Sequence, residues 1–334
     1  MIDILIDITL LTFLAITAVA IVRLTSLFAV VMLFGIFSFL SATMFVVMDA
    51  ADVAFTEAAV GAGISTVLML ATIALTKDHN EKQPTSYRRR WLPMAVVFVT
   101  GAALVYGTLD IPSFGDPQAP AQTHVAPYYI EKSIPDTGVP NVVTAVLASY
   151  RGFDTLGEVV VILTAGIAVL LLLGSDHRKP APTGSQMPGG ATKRKTTSNP
   201  ILQVASKILI PLIILFALYV QFHGDYGPGG GFQAGVIMSS AIILFALVFG
   251  LDAAEQVIPS TILRFLANLG VFLYAGVGIV TLILGGNYLE YSVLADTQIA
   301  GQHLGILLVE LGVGMTVFSV MLIIFFAFAG RGRP

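Results

Sequence analysis

The sequence predicts an all-α, polytopic membrane protein with about nine transmembrane helices. Three observations support this prediction: 56% of the 334 residues are hydrophobic, only 11% are charged, and the apolar residues gather into long runs. Soluble globular domains carry about a quarter charged residues, so a water-soluble fold of this length is disfavoured.

Nine segments are long and apolar enough to cross about 30 Å of hydrocarbon at about 1.5 Å per residue. They lie near 4–22, 25–48, 52–76, 91–109, 155–174, 202–222, 232–250, 262–284 and 303–328. The runs are too long for tilted barrel strands and lack strict alternation, which favours helices. The first segment begins with Asp3 and Asp7, where a signal peptide has basic residues, so it is predicted to remain as a span.

Lysine and arginine predict the orientation, because cytoplasmic loops carry an excess of both. If the N-terminus is outside and the C-terminus is cytoplasmic, only Lys132 and Arg151 of the 17 basic residues lie outside. The sequence therefore predicts an external N-terminus.

Composition predicts two cytoplasmic linkers. Residues 77–90 are short and polar, and residues 175–200 are rich in Pro, Gly, Ser, Thr and basic residues, a composition typical of disorder. The second linker joins two membrane modules, 1–174 and 200–330. The proline-rich outer segment 110–140 is expected to lie over the membrane surface.

Several classes of function are disfavoured. The absence of cysteine excludes disulfides, thiolate catalysis and cysteine-held metal centres, and no GxxxxGK[ST] loop is present for ATP. A net charge of −3 gives no basic surface for nucleic acid. The five histidines alternate between the membrane sides, and no Ser, His and carboxylate set converges. The sequence therefore predicts neither an enzyme nor a cofactor.

Glu57 is the first lead to function, because ionisable side chains at bilayer depth are costly. It follows Asp49 and Asp52 of the outer turn and lies about 8–12 Å deeper in the third span. Small residues at 61–66 allow close helix approach, or a local break where carbonyls bind a cation. We predict a proton or sodium site here, with Na+ near Glu57 and Asp52. The alternative is a glutamate held by a neighbouring helix for assembly alone.

Arg151, Asp154 and Glu158 are spaced i, i+3 and i+7, which predicts that they share one helical face. Arg151 and Asp154 are expected to pair near the outer interface, either in the ion path or as an anchor for the helix. Glu158 enters the span, where a carboxyl group without a cation can load and release a proton.

Glu310 is about 14 Å from Gly301 at the outer edge of the last span, close to the midplane. His303 is on the same face and nearer the outside, so the pair could pass protons inward. The alternative for Glu310 is an interhelical hydrogen bond. Lys207 is expected to extend to the cytoplasmic headgroups.

The turn FHGDYGPGGGFQAGV contains His223 and Asp225. Its proline and glycines favour a tight reversal over an ion-binding loop. Glycines at the start of the following span also let a helix N-terminus face a polar group.

Three of these runs resemble known membrane modules. DAADVAFTEAAVGAGIS resembles the MbhD-type module of membrane-bound hydrogenases and of the MrpA component of multisubunit Na+/H+ antiporters. NVVTAVLASYRGFDTLGEVVVI resembles the MbhE-type module that follows it, and FHGDYGPGGGFQAG with GILLVELGVGMTV resembles the MnhB (MrpB) component. The runs occur in the family's usual order and together cover nearly the whole chain.

The resemblance implies an MbhD-like three-helix module at 1–76, an MbhE-like two-helix module at 91–174 and an MnhB-like four-helix module at 201–330. It implies a fused subunit of an Mrp-type complex in a bacterial or archaeal inner membrane. The MbhD-like part is similar to a complex I subunit whose third helix is irregular, so an irregular third span is expected.

The resemblance also implies roles for the acidic residues. Glu57 and Glu158 match acidic positions tied to cation transport, Asp52 belongs to the same motif as Glu57, and Glu310 matches the acidic position of the last MnhB helix. The antiporter-like region that precedes the MbhD module in MrpA is not in this sequence. The chain is therefore expected to work with an MrpA N-terminal part, MrpD-like, MrpC-like and small membrane subunits in the bilayer.

Three functions remain open at this stage. The chain could supply part of the Na+ or H+ path of an antiporter. It could be a membrane-arm subunit of a hydrogenase or another complex-I-like redox complex. It could also be purely structural, holding the complex together by small-residue helix contacts. A stand-alone permease is the least favoured, because no repeat or central site is visible.

Overall fold

The computed structural model describes residues 2–75, 91–113, 115–173 and 200–330. All regular elements in these ranges are helical, and nine helices there are long and apolar enough to cross a membrane. The predicted all-α polytopic fold is confirmed. The linkers predicted at 77–90 and 175–200 lie outside the described residues, apart from Pro200. Which terminus is external stays a prediction.

The first three spans form a hairpin followed by an irregular helix. Helices α1 (Ile2–Arg23) and α2 (Leu27–Val47) pack against each other. The third span consists of α3 (Ala51–Glu57), a π-helical segment (Ala58–Ser65) and α4 (Thr66–Leu75). The sequence of the π segment, AAVGAGIS, contains two glycines, which weaken α-helical geometry. An irregular third span is therefore found where the resemblance implied one.

The fourth span, α5 (Trp91–Gly107), has no buried residue. After it, the chain forms the short α6 (Pro120–Thr123) and the amphipathic α7 (Val125–Thr137), which packs against residues 142–150 and against the last long helix (Gln298–Ala329). The Tyr150 hydroxyl donates to Asp136 Oδ2 of α7 at 2.8 Å. Burial and this hydrogen bond raise the pKa of Tyr150, so the phenol remains a donor well into the alkaline range.

The fifth span also starts irregularly, which corrects one prediction. After α8 (Val142–Thr144) the chain forms a second π segment (Ala145–Tyr150), and α9 (Gly152–Leu173) begins beyond Arg151. Arg151 has φ −122° and ψ 31°, so it does not share a continuous helical face with Asp154 and Glu158. The cause is that the Arg151 N–H bonds Val146 O at 2.8 Å, which ends one helix before the next begins.

The last part of the chain supplies most of the core. Its helices are α10 (Pro200–His223), α11 (Gly231–Phe249), the short α12 (Leu251–Val257), α13 (Ser260–Ile283) and α14 (Gln298–Ala329). The 32-residue α14 is central and packs against α9, α11 and α13. Among the candidate spans, α14 has the largest buried share and α5 the smallest.

Glycines allow α14 to approach its neighbours closely. A Cβ atom built on Gly235 of α11 would lie 2.8 Å from Gly314 O. A Cβ atom on Gly312 of α14 would lie 2.7 Å from Gly270 O of α13. Contacts this short leave no room for a side chain, so backbone packing between small residues holds these helices together.

Gly270→Val should therefore destabilise the protein by about 1–3 kcal/mol or more, because its side chain would enter the Thr316 and Gly312 backbone of α14. Gly276→Val on the same helix is the matched control, since a Cβ atom there meets nothing within 4 Å. Thermal unfolding in detergent measures the difference. Equal melting temperatures for the two variants would contradict the packing argument.

Candidate functional site

A cavity of about 340 Å³ lies where the first, middle and last parts of the chain meet. Three carboxylates line it: Asp52 from α3, Glu158 from α9 and Glu310 from α14. Two polar side chains of its wall, Thr144 and Gln233, are 6% and 8% exposed. The cavity wall is otherwise mostly apolar, so three acidic side chains from helices far apart in the sequence meet in one largely apolar space.

The glycine-rich turn before α11 positions Glu310. The carboxylate Oε2 accepts the backbone N–H of Gly231, the first residue of α11, and so faces the positive end of that helix. Gly230 has φ 118°, a conformation that favours glycine, and a Cβ atom there would lie 2.9 Å from Glu310 Oε2. The interhelical hydrogen bond considered for Glu310 is therefore present, and the same carboxylate also lines the cavity.

Asn141 ties the middle of the chain to this turn. Its Oδ1 accepts the backbone N–H of Val143 at 2.9 Å and caps α8. Its Nδ2 donates to Gly227 O at 3.0 Å and to Gly224 O at 3.2 Å, and Thr144 Oγ1 donates to Gly224 O at 2.7 Å. Side chains at the start of α8 thus donate hydrogen bonds to the buried carbonyl groups of the turn.

Asp52 is held more loosely than the groups around it. Its Oδ1 lies 3.4 Å from Asn141 Nδ2 and 3.4 Å from Gly229 N, both long for hydrogen bonds. One turn further along α3, Thr56 Oγ1 accepts from Gln233 Nε2 at 2.9 Å. These contacts connect the third span to the start of α11.

His303 contacts the glycine-rich turn. Its Nδ1 lies 3.0 Å from Asp225 Oδ2, in the glycine-rich turn. It is not among the residues lining the cavity, whereas Glu310 is. The turn, predicted to be a plain reversal, therefore also pairs with α14 through Asp225. A relay from His303 to Glu310 stays a prediction.

Glu57, Arg151 and Asp154 do not line the cavity. The Glu57 carboxylate lies beside Gly61 and Ser38, since a Cβ atom on Gly61 would be 2.5 Å from Glu57 Oε1 and 2.6 Å from Ser38 Oγ.

Arg151 Nε donates to Asp154 Oδ2 at 2.6 Å, and both side chains are at least half exposed, as expected for an interfacial pair.

No group of three or more His, Asp or Glu that could hold a metal ion occurs among the residues that the structure describes. A sodium ion held near both Asp52 and Glu57 stays a prediction.

Four polar residues of the site were not singled out from the sequence. They are Thr56, Asn141, Thr144 and Gln233. Asn141 follows a proline and precedes a helix, which is a helix-start signal. That signal predicts the cap but not the docking partner, because the turn that Asn141 binds is about 80 residues away.

Family models match three successive parts of the chain. The MbhD model of the MBH complex matches residues 12–78, and the MbhE model of the same complex matches residues 86–189. The domain related to the MnhB subunit of Na+/H+ antiporters matches residues 201–323.

Individual relatives agree with these matches. The B subunit of the Na+/H+ antiporter of Bacillus subtilis is 30% identical over 135 residues, which is 37% of this chain and 94% of that protein. The A/B subunit of the probable K+/H+ antiporter of Rhizobium meliloti is 27% identical over 227 residues, which is 63% of this chain but only 22% of that protein.

Two solved structures are similar. A chain in the Mrp complex from Dietzia sp. DQ12-45-1b superposes with a TM-score of 0.77 at 26% identity, covering 98% of this chain and 35% of that one. The membrane-bound sulfane sulfur reductase, an archaeal respiratory membrane complex, has a chain with a TM-score of 0.50 at 28% identity, covering 70% of this chain and 96% of that one. The present sequence thus spans about a third of its Mrp counterpart.

Asn141→Ala should lower the free energy of unfolding by about 2–3 kcal/mol, because it removes a helix cap and the donor to two buried carbonyls. Asn141→Asp keeps the cap but turns a carboxylate oxygen toward the same two carbonyls and toward Asp52, so it should cost at least as much. Asn268→Ala is the control, since that exposed amide donates to Arg264 O one turn back. Melting temperatures in detergent rank the three variants, and an Asn141→Ala protein as stable as the control would contradict the docking role.

Proposed function

This chain belongs to the Mrp-type Na+/H+ antiporter subunits, and on that premise we propose that its cavity forms part of the Na+ or H+ path of an antiporter complex. The observation that supports the proposal is the convergence of Asp52, Glu158 and Glu310 on one cavity. These residues come from three helices far apart in the sequence. Contacts between small residues of its helices contribute to assembly of the complex.

The chemistry of the cavity suits a visiting cation. Carboxylates at membrane depth are costly unless they are paired, neutralised or hydrated, and a proton or Na+ supplies the missing positive charge. A volume of about 340 Å³ admits several water molecules, so a partly hydrated ion fits. Loading one carboxyl group changes the proton affinity of the next, which would couple the fluxes of the two ions.

One side of the cavity is incomplete in a single chain. Val53, Val143 and Leu147 line it and are 47%, 40% and 45% exposed. Lipid or another protein of the complex must cover these apolar side chains, which supports membership of a larger assembly. The proposed partners are other Mrp-type membrane subunits, including antiporter-like ones, in a bacterial or archaeal inner membrane.

Glu57 is an acidic residue of the third span that lies outside the cavity wall. It lies at the junction of α3 with the π segment, a few residues beyond Asp52 on the same span. π-helical segments are frequent at functional sites because they free backbone carbonyls. We therefore propose that Glu57 is a second acidic position of the path, deeper along the span and outside the cavity wall.

Glu310→Gln and Glu158→Gln should each reduce cation/proton exchange by at least about tenfold, because an amide keeps the shape but removes the charge that attracts the cation. Exchange is measured in membrane vesicles from cells that express the complete complex. Glu131→Gln, on the exposed outer surface of α7, is the matched control and should retain full activity.

A native gel of the same membranes separates transport from assembly. The proposal expects an intact complex in the inactive variants. Loss of the complex in parallel with activity would instead support the purely structural role. Full exchange by both variants in an intact complex would contradict the ion-path role.

The similarity to a chain of the sulfane sulfur reductase supports a second candidate function, a membrane-arm subunit of a redox-driven complex. The two candidates differ in their partners. Purification of the native complex followed by mass spectrometry should identify only membrane subunits if the antiporter proposal is right. Cysteine-rich soluble subunits in stoichiometric amounts would favour the redox complex.

A further inference from the structure

A second cavity of about 310 Å³ adjoins the first, which we now call the inner cavity. The two share three wall residues: Asp52, Val53 and Val143. The second cavity lies toward the turns at 49–52, 140–142 and 226–228, at the end of the molecule that the basic residues predict to be external. We call it the outer cavity.

The rim of the outer cavity is exposed, whereas the polar groups at its boundary with the inner cavity are more buried. The apolar boundary residues Val53 and Val143 face the side that lipid or another subunit must cover. The rim residues Asp49, Pro140 and Tyr226 are exposed, Tyr226 by 68%. Asn141, which also lines it, is 9% exposed and contacts Asp52. An ion moving from the outer to the inner cavity would therefore meet the Asp52 carboxylate and the Asn141 amide first.

The hydrogen bonds at this boundary differ in length. The Asn141 amide has two N–H groups but three acceptors, at 3.0 Å and 3.2 Å in the glycine-rich turn and at 3.4 Å on Asp52. The amide is held in this orientation because its oxygen caps α8. Asp52 is therefore the acceptor that is bound least, and its other donor, Gly229 N, is also 3.4 Å away.

We propose that the outer cavity is the vestibule through which a hydrated monovalent cation reaches the inner cavity, and that Asp52, held loosely by Asn141, is the constriction between them. A cation at Asp52 replaces the two long hydrogen bonds of the carboxylate. The two Asn141 N–H groups then match the two turn carbonyls one to one, and the Gly229 N–H can donate to a water molecule of the hydrated cation instead of to Asp52. The nature of the ion rests on the proposed function, whereas the access route does not.

The absence of cysteine from the chain allows a direct test by single-cysteine labelling. Val142→Cys reports on the outer cavity, and Val159→Cys reports on the inner cavity, where the side chain is 1% exposed. The reagent is a trimethylammonium-ethyl methanethiosulfonate, which is positively charged and does not cross membranes. It is applied to the complete complex in right-side-out and in inverted vesicles.

With Asp52 present, Val142→Cys should react quickly from the outside and Val159→Cys slowly. Asp52→Ala removes the constriction. It should speed the reaction of the reagent with Val159→Cys about tenfold, because the loss of two weak hydrogen bonds favours the open state by about that factor. Asp52→Asn keeps the shape of the side chain and should leave that rate slow. The Val142→Cys rate should be the same in all three backgrounds, which also reports that the outer cavity is intact.

Asn141→Asp gives a second measurement if Asp52→Ala disturbs assembly. It keeps the cap on α8, removes the amide donor and places like charges together, so the Val159→Cys reaction should again accelerate. An unchanged Val159→Cys rate in both variants would overturn the proposal, as would equal acceleration by Asp52→Asn, or reaction from the cytoplasmic face only. Any of these results together with inactive Glu310→Gln would refute the route and leave the proposed function standing.

Discussion

The structure depends on the docking of one glycine-rich turn, residues 224–231, against α14 and the start of α8. Buried polar groups of the backbone need hydrogen-bond partners. Here the carbonyls of the turn receive Asn141 and Thr144, while its N–H groups face Asp52 and Glu310. Without glycine at 230 and 231 the chain could not approach Glu310 this closely. One turn therefore joins the three parts of the chain.

This arrangement lets one carboxylate both fix a helix and supply a negative charge to the cavity. A carboxylate that accepts an N–H at a helix N-terminus is stabilised there and helps to fix the helix. The same carboxylate, when it lines a cavity, also provides a negative charge that attracts a proton or another cation. Glu310 has both properties, and Asp52 has the second with weaker hydrogen bonds.

Both irregular spans lie next to the site, and their origins differ. The first π segment is consistent with its own sequence, where Gly61 and Gly63 weaken the helix. A local break was one of two interpretations of these small residues, and the family resemblance implied an irregular third span. The second π segment, AVLASY, contains neither glycine nor proline. Distant side chains hold its carbonyl groups, since the Tyr291 hydroxyl donates to Ala148 O at 2.8 Å, so nothing local predicted it.

The sequence by itself determined the class of fold, the nine candidate spans of the described residues and the few acidic residues that lie in or beside them. It could do so because a helix needs about 20 apolar residues to cross a bilayer, and a charged residue within such a run is rare and costly. Only the tertiary structure decided that Asp52, Glu158 and Glu310 share a cavity while Glu57 faces Ser38. Spacing along one helix fixes which residues share its face, but the partner of that face depends on how helices far apart in the chain rotate and pack.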